Sequence, residues 1–164
     1  MTTTELVDLL RHAYDGDPWH GPSLKKVLSN VTADTADARP LNGRHSIWEI
    51  VLHATGWTRE VDRRLNGGKP TQPAEGDWPT LPARPTGIAA AATWQEALRN
   101  LEQAHESLVA TVARTPDQRW EERVGDQRDA AEGTGITFGV MVVGLATHHA
   151  YHAGQIAMLT PRAA

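Results

Sequence analysis

The sequence contains no cysteine in its 164 residues. Disulfides, thiolate metal ligands and a cysteine nucleophile are therefore excluded, and the composition fits a reducing cytoplasm. Positive charge is also scarce: the formal net charge is −4, and the only adjacent lysines are Lys25 and Lys26. Because the arginines are scattered, the chain offers no basic surface for phosphates, and we expect no nucleic-acid partner.

Long hydrophobic runs are missing as well. The most apolar window, residues 136–159, is interrupted by three histidines and a glutamine and makes a poor membrane span. The N-terminal stretch MTTTELVDLLRHAYDGDP lacks the basic segment and apolar run of a signal peptide. We therefore expect a cytoplasmic protein with no membrane partner. The length fits a single domain over residues 1–164.

Apolar residues recur with helical spacing, and no stretch alternates with the period of two expected for a strand. The pattern predicts a short amphipathic helix over residues 4–14 and longer helices over 46–65, 88–112 and 136–159, and helical spacing also occurs over 24–31. Ser46 to Glu49 (SIWE) is a capping box at the start of the clearest helix, which should end before Asn66. TWQE, beginning at Thr93, resembles a second capping signal.

Four principal helices predict an all-α protein with a four-helix bundle. Residues 67–86 contain five prolines and connect the second of these helices to the third. This connection is long enough to cross the length of a bundle, so the two helices need not be antiparallel neighbours. We predict one long crossover connection between helices two and three.

Three histidines lie within five residues in LATHHAYHAGQIAML, residues 145–159. Positions i and i+4 of a helix lie about 40° apart, so His148 and His152 share a face and can bind one divalent cation. His149 points about 100° away from them, and we predict that it is not a ligand. The alternative is a purely structural role, which would require a separate buried hydrogen-bond partner for each imidazole.

A third ligand must come from another helix, and His53 is the candidate. It lies at the edge of the apolar stripe of the capped helix, at the border between core and solvent. Three neutral imidazoles with open coordination positions suit Zn²⁺, Ni²⁺ or Fe²⁺. Surface roles are expected for most of the histidines in loops or on polar faces, which are His12, His20, His45 and His105.

These motifs together carry a resemblance to a known family. HSIWEIVLHATGW (residues 45–57) followed by HHAYHAGQI (148–156) resembles the DinB/YfiT-like superfamily. WHGPSL (19–24) and ARPLNGRHSIWEIVLHATGW (38–57) are similar to its DinB-like branch, so the resemblance covers nearly the whole chain. It implies a four-helix bundle with one divalent metal held by His53, His148 and His152.

The resemblance also implies a chemistry. Better-understood members of the superfamily use a divalent ion to bind a low-molecular-weight thiol, lower its pKa and present the thiolate to an electrophile, while others isomerise with thiol assistance or are proposed hydrolases. We therefore expect a metal-dependent thiol S-transferase or hydrolase that activates a thiol or water in stress or detoxification chemistry. The alternative is a metal-binding bundle without catalysis, serving as a sensor, a metal sink or a scaffold.

Four residues are expected to line a substrate pocket beside the metal: Trp19, His20, Trp57 and Gln155. Gln155, on the ligand side of its helix, would orient a histidine N–H. Glu49 is the best candidate for a catalytic base, although its place in the capping box explains it structurally. Core packing is the favoured role for Trp48.

A second copy of the chain is the expected macromolecular partner. The last predicted helix is apolar on almost every side, so it is either central in the bundle or shared with another copy. Relatives within the resembled superfamily are commonly dimeric. We therefore expect a homodimer.

Overall fold

A computed structural model describes residues 1–79 and 87–161 of the chain. The described residues form six α-helices and no strand: α1 (Thr3–Tyr14), α2 (Leu24–Leu28), α3 (Ala33–Asp37), α4 (Ile47–Leu65), α5 (Gly87–Ala113) and α6 (Phe138–Leu159). A short 3₁₀ helix covers Asp117–Glu121. The all-α prediction is confirmed, and residues 80–86 of the predicted connection lie outside the described residues.

The capping box at the start of α4 is present as predicted. The Ser46 hydroxyl accepts the N–H of Glu49 at 3.3 Å, and the Glu49 carboxylate accepts the N–H of Ser46 at 2.9 Å. The second predicted capping signal is wrong, because Thr93 lies inside α5. Its hydroxyl donates to the carbonyl of Ala89, one turn earlier in the same helix. α2 is also shorter than predicted, ending at Leu28.

The four long helices pack around two groups of buried apolar side chains. α1 packs against α5 and α6, and α4 packs against the same two helices. One part of the core surrounds Trp48 and Trp94, and the other surrounds Leu10 and Trp120. Burial of these large side chains is the main contribution to the stability of the fold.

α4 and α5 are neighbours that run in the same direction. The indole rings of Trp48 and Trp94, near the beginning of both helices, lie 5.3 Å apart. The Ser107 hydroxyl, further along α5, donates to the Asp62 carboxylate near the end of α4 at 2.6 Å. Contacts that advance along both helices together require the chain to come back toward the first residues of α4 before α5 begins.

Residues 71–78 lie along the surface of α4 and run back toward its beginning. We call this segment the returning chain. The N–H of Thr71 donates to the Glu60 carboxylate at 3.0 Å, on the last third of the helix. Further along, Pro73 packs on Gly56, where an added Cβ would lie only 3.1 Å from the proline Cβ. Glycine at position 56 therefore lets the returning chain lie directly on the helix backbone.

A hydrogen bond to the Glu60 carboxylate holds the returning chain against α4. Glu60 is buried, with 4% of the residue exposed. Its carboxylate accepts hydrogen bonds from Arg63 Nε at 2.7 Å, from Arg64 Nε at 2.7 Å and from the N–H of Thr71. The Arg64 guanidinium also donates to the carbonyls of Thr71 and Glu132, at 2.7 and 2.6 Å. Burial raises the pKa of Glu60, but these hydrogen bonds outweigh it and hold the pKa below its usual value.

We expect Glu60→Gln to lower the free energy of unfolding by about 3 kcal/mol, because it leaves the buried Arg64 guanidinium without its counter-charge. Glu75→Gln is the matched control, since Glu75 is exposed and its oxygen lies 3.9 Å from Arg59. That control should change the unfolding energy by less than about 0.5 kcal/mol. Urea denaturation measures both, and equal losses would contradict the role given to Glu60.

Candidate metal centre

α4 and α6 bring the three predicted ligand histidines together. His148 Nε2 lies 2.9 Å from His53 Nε2 and 2.9 Å from His152 Nε2. The candidate ligand atoms of the three residues all lie within 4.8 Å of one another. Within residues 1–79 and 87–161, this is the one group of three or more potential ligands with such spacing. We call it the histidine triad.

Hydrogen bonds on the outer nitrogens orient two of the three rings. His53 Nδ1 donates to the backbone carbonyl of Asp77 at 2.5 Å, and His152 Nδ1 donates to Gln155 Oε1 at 2.7 Å. Gln155 Nε2 donates in turn to the Tyr151 hydroxyl at 2.9 Å, which places the amide oxygen toward His152. Because both outer partners are acceptors, the protons belong on Nδ1 and the Nε2 lone pairs point into the triad.

The inward lone pairs fit a bound cation. A neutral His148 carries a single proton, so at most one of its two short Nε2 contacts is a full hydrogen bond, and the other brings two lone pairs together. His148 Nδ1 is buried and has no hydrogen-bond partner among the described residues, so nothing on that side selects the tautomer. A divalent ion between the three Nε2 atoms would accept all three lone pairs, and the residues present therefore fit a metal centre.

Burial keeps the triad uncharged. Burial, followed by the neighbouring imidazoles, lowers the pKa of His148 to about 3. Burial also lowers the pKa of His152 to about 4, and that of His53 falls below its usual value for the same reason. All three imidazoles are neutral near pH 7, the form that binds metal ions.

His149 points away from the triad, in agreement with its position on the helix. It is fully buried, and its Nε2 lies 3.1 Å from the Thr58 hydroxyl. The surface role expected for His105 is wrong, because that residue is buried and stacks on Tyr14 with ring centroids 4.0 Å apart. Its imidazole faces α1, and helical phase alone did not reveal that α1 covers this side of α5.

Two cavities border the triad. One of about 420 Å³ is lined by His53 and His148, with walls that include Trp57, Met141 and Leu145. The other, of about 440 Å³, lies on the His152 side, and its lining includes Trp78, Tyr151 and Gln155. Of the predicted pocket residues, Trp57 and Gln155 thus lie beside the histidines.

Trp19 and His20 lie elsewhere. Trp19 is 98% exposed, and both residues border a separate depression between α1 and α6 that also includes Leu9 and Ala150. No histidine of the triad lines this depression. The structure does not bring Trp19 and His20 to the triad, and their place in a substrate pocket stays a prediction.

The Glu49 carboxylate already has hydrogen-bond partners at the start of α4. Besides the N–H of Ser46, it accepts from the Arg39 guanidinium and lies 3.4 Å from His45 Nδ1. Burial raises the pKa of Glu49, but the bonds from Ser46 and Arg39 outweigh it and lower the pKa. A role as catalytic base stays a prediction. Trp48 packs in the core, as favoured from the sequence.

Sequence reasoning missed two residues of the returning chain, Asp77 and Trp78. The Asp77 carbonyl accepts from His53, and its carboxylate accepts from Trp57 Nε1 at 2.7 Å. The Trp78 indole stacks on the His53 ring, with centroids 3.9 Å apart. Both residues lie in the proline-rich connection, where no periodicity indicates which side chains face the helices.

The comparisons with known proteins agree with this geometry. A family model described as the DinB superfamily matches residues 19–156, and the chain belongs to that superfamily. No curated protein and no solved structure matches the chain. Among the described helices, none combines the length and the hydrophobicity needed to cross a membrane. The family and the histidine triad together fit a metal-binding DinB-like protein.

We expect His152→Asn to abolish binding of one equivalent of Zn²⁺, because it removes a nitrogen from the triad. His149→Gln should leave the stoichiometry unchanged, since His149 contacts Thr58 and not the triad. Metal analysis of protein purified without an affinity tag measures both. Equal losses in the two variants would place His149 in the metal site and contradict the geometry.

Stability should fall with acidification through His105. Burial lowers its pKa from 6.5 to about 4, so between these pH values the unfolded chain binds a proton that the folded chain does not. The contribution is complete above pH 6.5 and decreases as the pH falls toward 4. When the pH is lowered from about 7.5 to about 5, the free energy of unfolding should fall by roughly 2 kcal/mol less in His105→Gln than in wild type. Urea denaturation at the two pH values measures this difference. Identical pH dependence in both proteins would contradict this.

Proposed function

We propose that this protein binds one divalent transition metal, Zn²⁺, Ni²⁺ or Fe²⁺, on His53, His148 and His152. Its function would be to activate a low-molecular-weight thiol or water for transfer or hydrolysis in stress or detoxification chemistry. The observation that carries the proposal is the fixed inward direction of two Nε2 lone pairs, imposed by acceptors on the outer nitrogens. Structural histidines would have no need of convergent lone pairs.

An ion in such a site lowers the pKa of a thiol or water in an open coordination position. The chain supports an open position, because the described residues offer no fourth histidine or carboxylate within the triad group. The cavity beside His53 and His148 is lined in part by apolar side chains, including Trp57, Met141 and Leu145. Apolar walls of this kind suit a small organic molecule.

Two carboxylates are candidates to accept the proton released by a bound thiol or water. Asp77 borders the same cavity as His53 and His148, and its side chain is half exposed. Glu49 is the candidate named from the sequence, and it is held by Ser46 and Arg39. We favour Asp77, since the residue lines the cavity and its carboxylate has no paired arginine or lysine among the described contacts.

We also propose that the four long helices form a four-helix bundle with one crossover between α4 and α5, and that the protein is a homodimer. The parallel course of α4 and α5, with the returning chain along α4, supports the crossover. Exposed apolar side chains on α6 support a second copy as partner: Val140, Tyr151 and Met158.

Cobalt substitution tests the proposed chemistry. Adding 2-mercaptoethanol to the Co²⁺ protein should produce a sulfur-to-metal charge-transfer band, with thiol deprotonation well below the free value of about 8.5. Ethylene glycol, the matched ligand without sulfur, should produce no such band, and His152→Asn should remove it.

An unchanged cobalt spectrum in the presence of thiol would reject thiol activation. If a fourth protein side chain then completed the coordination of the ion, the better account would be a metal-binding bundle without catalysis.

A further inference from the structure

The Trp78 indole lies between two histidine rings in a column of stacked aromatic rings. One of these histidines belongs to α4, and the other lies just before it. The indole and the His53 imidazole have centroids 3.9 Å apart and planes inclined by 6°. On its other face, His45 stacks at 3.5 Å with an inclination of 2°. The column leads from the exposed ring of His45 to the buried ring of His53.

Two consecutive residues of the returning chain thus restrain the same histidine. Stacking on Trp78 sets the plane of the His53 ring, and the Asp77 carbonyl sets its rotation by accepting from Nδ1. A side chain with two rotatable bonds has little freedom left under these two restraints. The remaining nitrogen, Nε2, is thereby directed toward His148.

Trp78 is held from several sides. Its ring meets the edge of the His152 ring, with centroids 6.0 Å apart and planes at 84°. Its neighbour Asp77 is fixed to α4 by the hydrogen bond from Trp57 Nε1. Trp78 therefore touches two histidines of the triad, one on each ligand helix.

We infer that Trp78 is a positioning residue for the metal ligand His53. Outer contacts of a ligand histidine stabilise the ring orientation required for coordination, and their loss weakens metal affinity. Trp78 supplies such a contact by stacking, while Asp77 supplies one by hydrogen bonding. The inference rests on the proposed function in that it takes His53 as a ligand.

Co²⁺ titration followed by visible absorption tests this inference on the full chain. Trp78→Leu should weaken Co²⁺ binding by about ten-fold or more. Trp78→Phe, which keeps an aromatic face for His53, should bind Co²⁺ close to wild-type affinity. Trp19→Leu is the matched control, because Trp19 is almost fully exposed and does not border the triad, and it should match wild type.

A second readout needs no metal. In the metal-free protein, long-range ¹H–¹⁵N spectra should show His53 with its proton on Nδ1, and Trp78→Leu should shift it to a mixture of tautomers that Trp78→Phe reverses. A role in stability alone would lower the melting temperature and leave both the Co²⁺ affinity and the tautomer unchanged, which would overturn the inference. If wild type takes up no Co²⁺, the proposed function fails, and the tautomer measurement still decides whether Trp78 orients His53.

Discussion

The site depends on a simple constraint: a neutral imidazole that donates from one nitrogen must present a lone pair on the other. At His53 and His152 the outer nitrogen is satisfied by a protein acceptor, the Asp77 carbonyl and the Gln155 side chain. The proton is thereby fixed on the outer side, and an unprotonated Nε2 is left facing His148. Convergence of such lone pairs is unfavourable without a cation, so the triad has the chemistry to hold a metal ion.

The path of the chain after α4 follows from the same requirement. α4 and α5 run in the same direction, and the residues that follow α4 come back against the face of α4 that carries His53. Gly56 allows the close approach, and the buried Glu60 holds the beginning of the segment. The same segment therefore also supplies the carbonyl and the indole that contact the His53 ring.

α6 places histidines of two kinds next to each other. His148 and His152 face the triad, whereas the adjacent His149 is directed toward Thr58 and the ring of Tyr14. The helical rotation of about 100° per residue separates the two environments. Burial lowers the pKa of His149 as it does for the triad, to about 3, so the burial of an imidazole in this protein does not by itself distinguish a ligand from a structural residue. The two residues differ in what surrounds Nε2, which is two imidazoles at His148 and the Thr58 hydroxyl at His149.

The sequence by itself determined the helices and the identity of the triad. Helical periodicity located the four long helices, and the capping box located the start of α4. The i, i+4 spacing selected His148 and His152 over His149. These features are local and are fixed by helix geometry. Only the tertiary structure decided the surroundings. His105 is buried because α1 covers its face of α5. Trp19 is 98% exposed because no other described element covers its indole, and Trp78 reaches His53 because the returning chain lies on α4. Such contacts join residues far apart in the chain, and an irregular, proline-rich segment has no period from which the direction of its side chains follows.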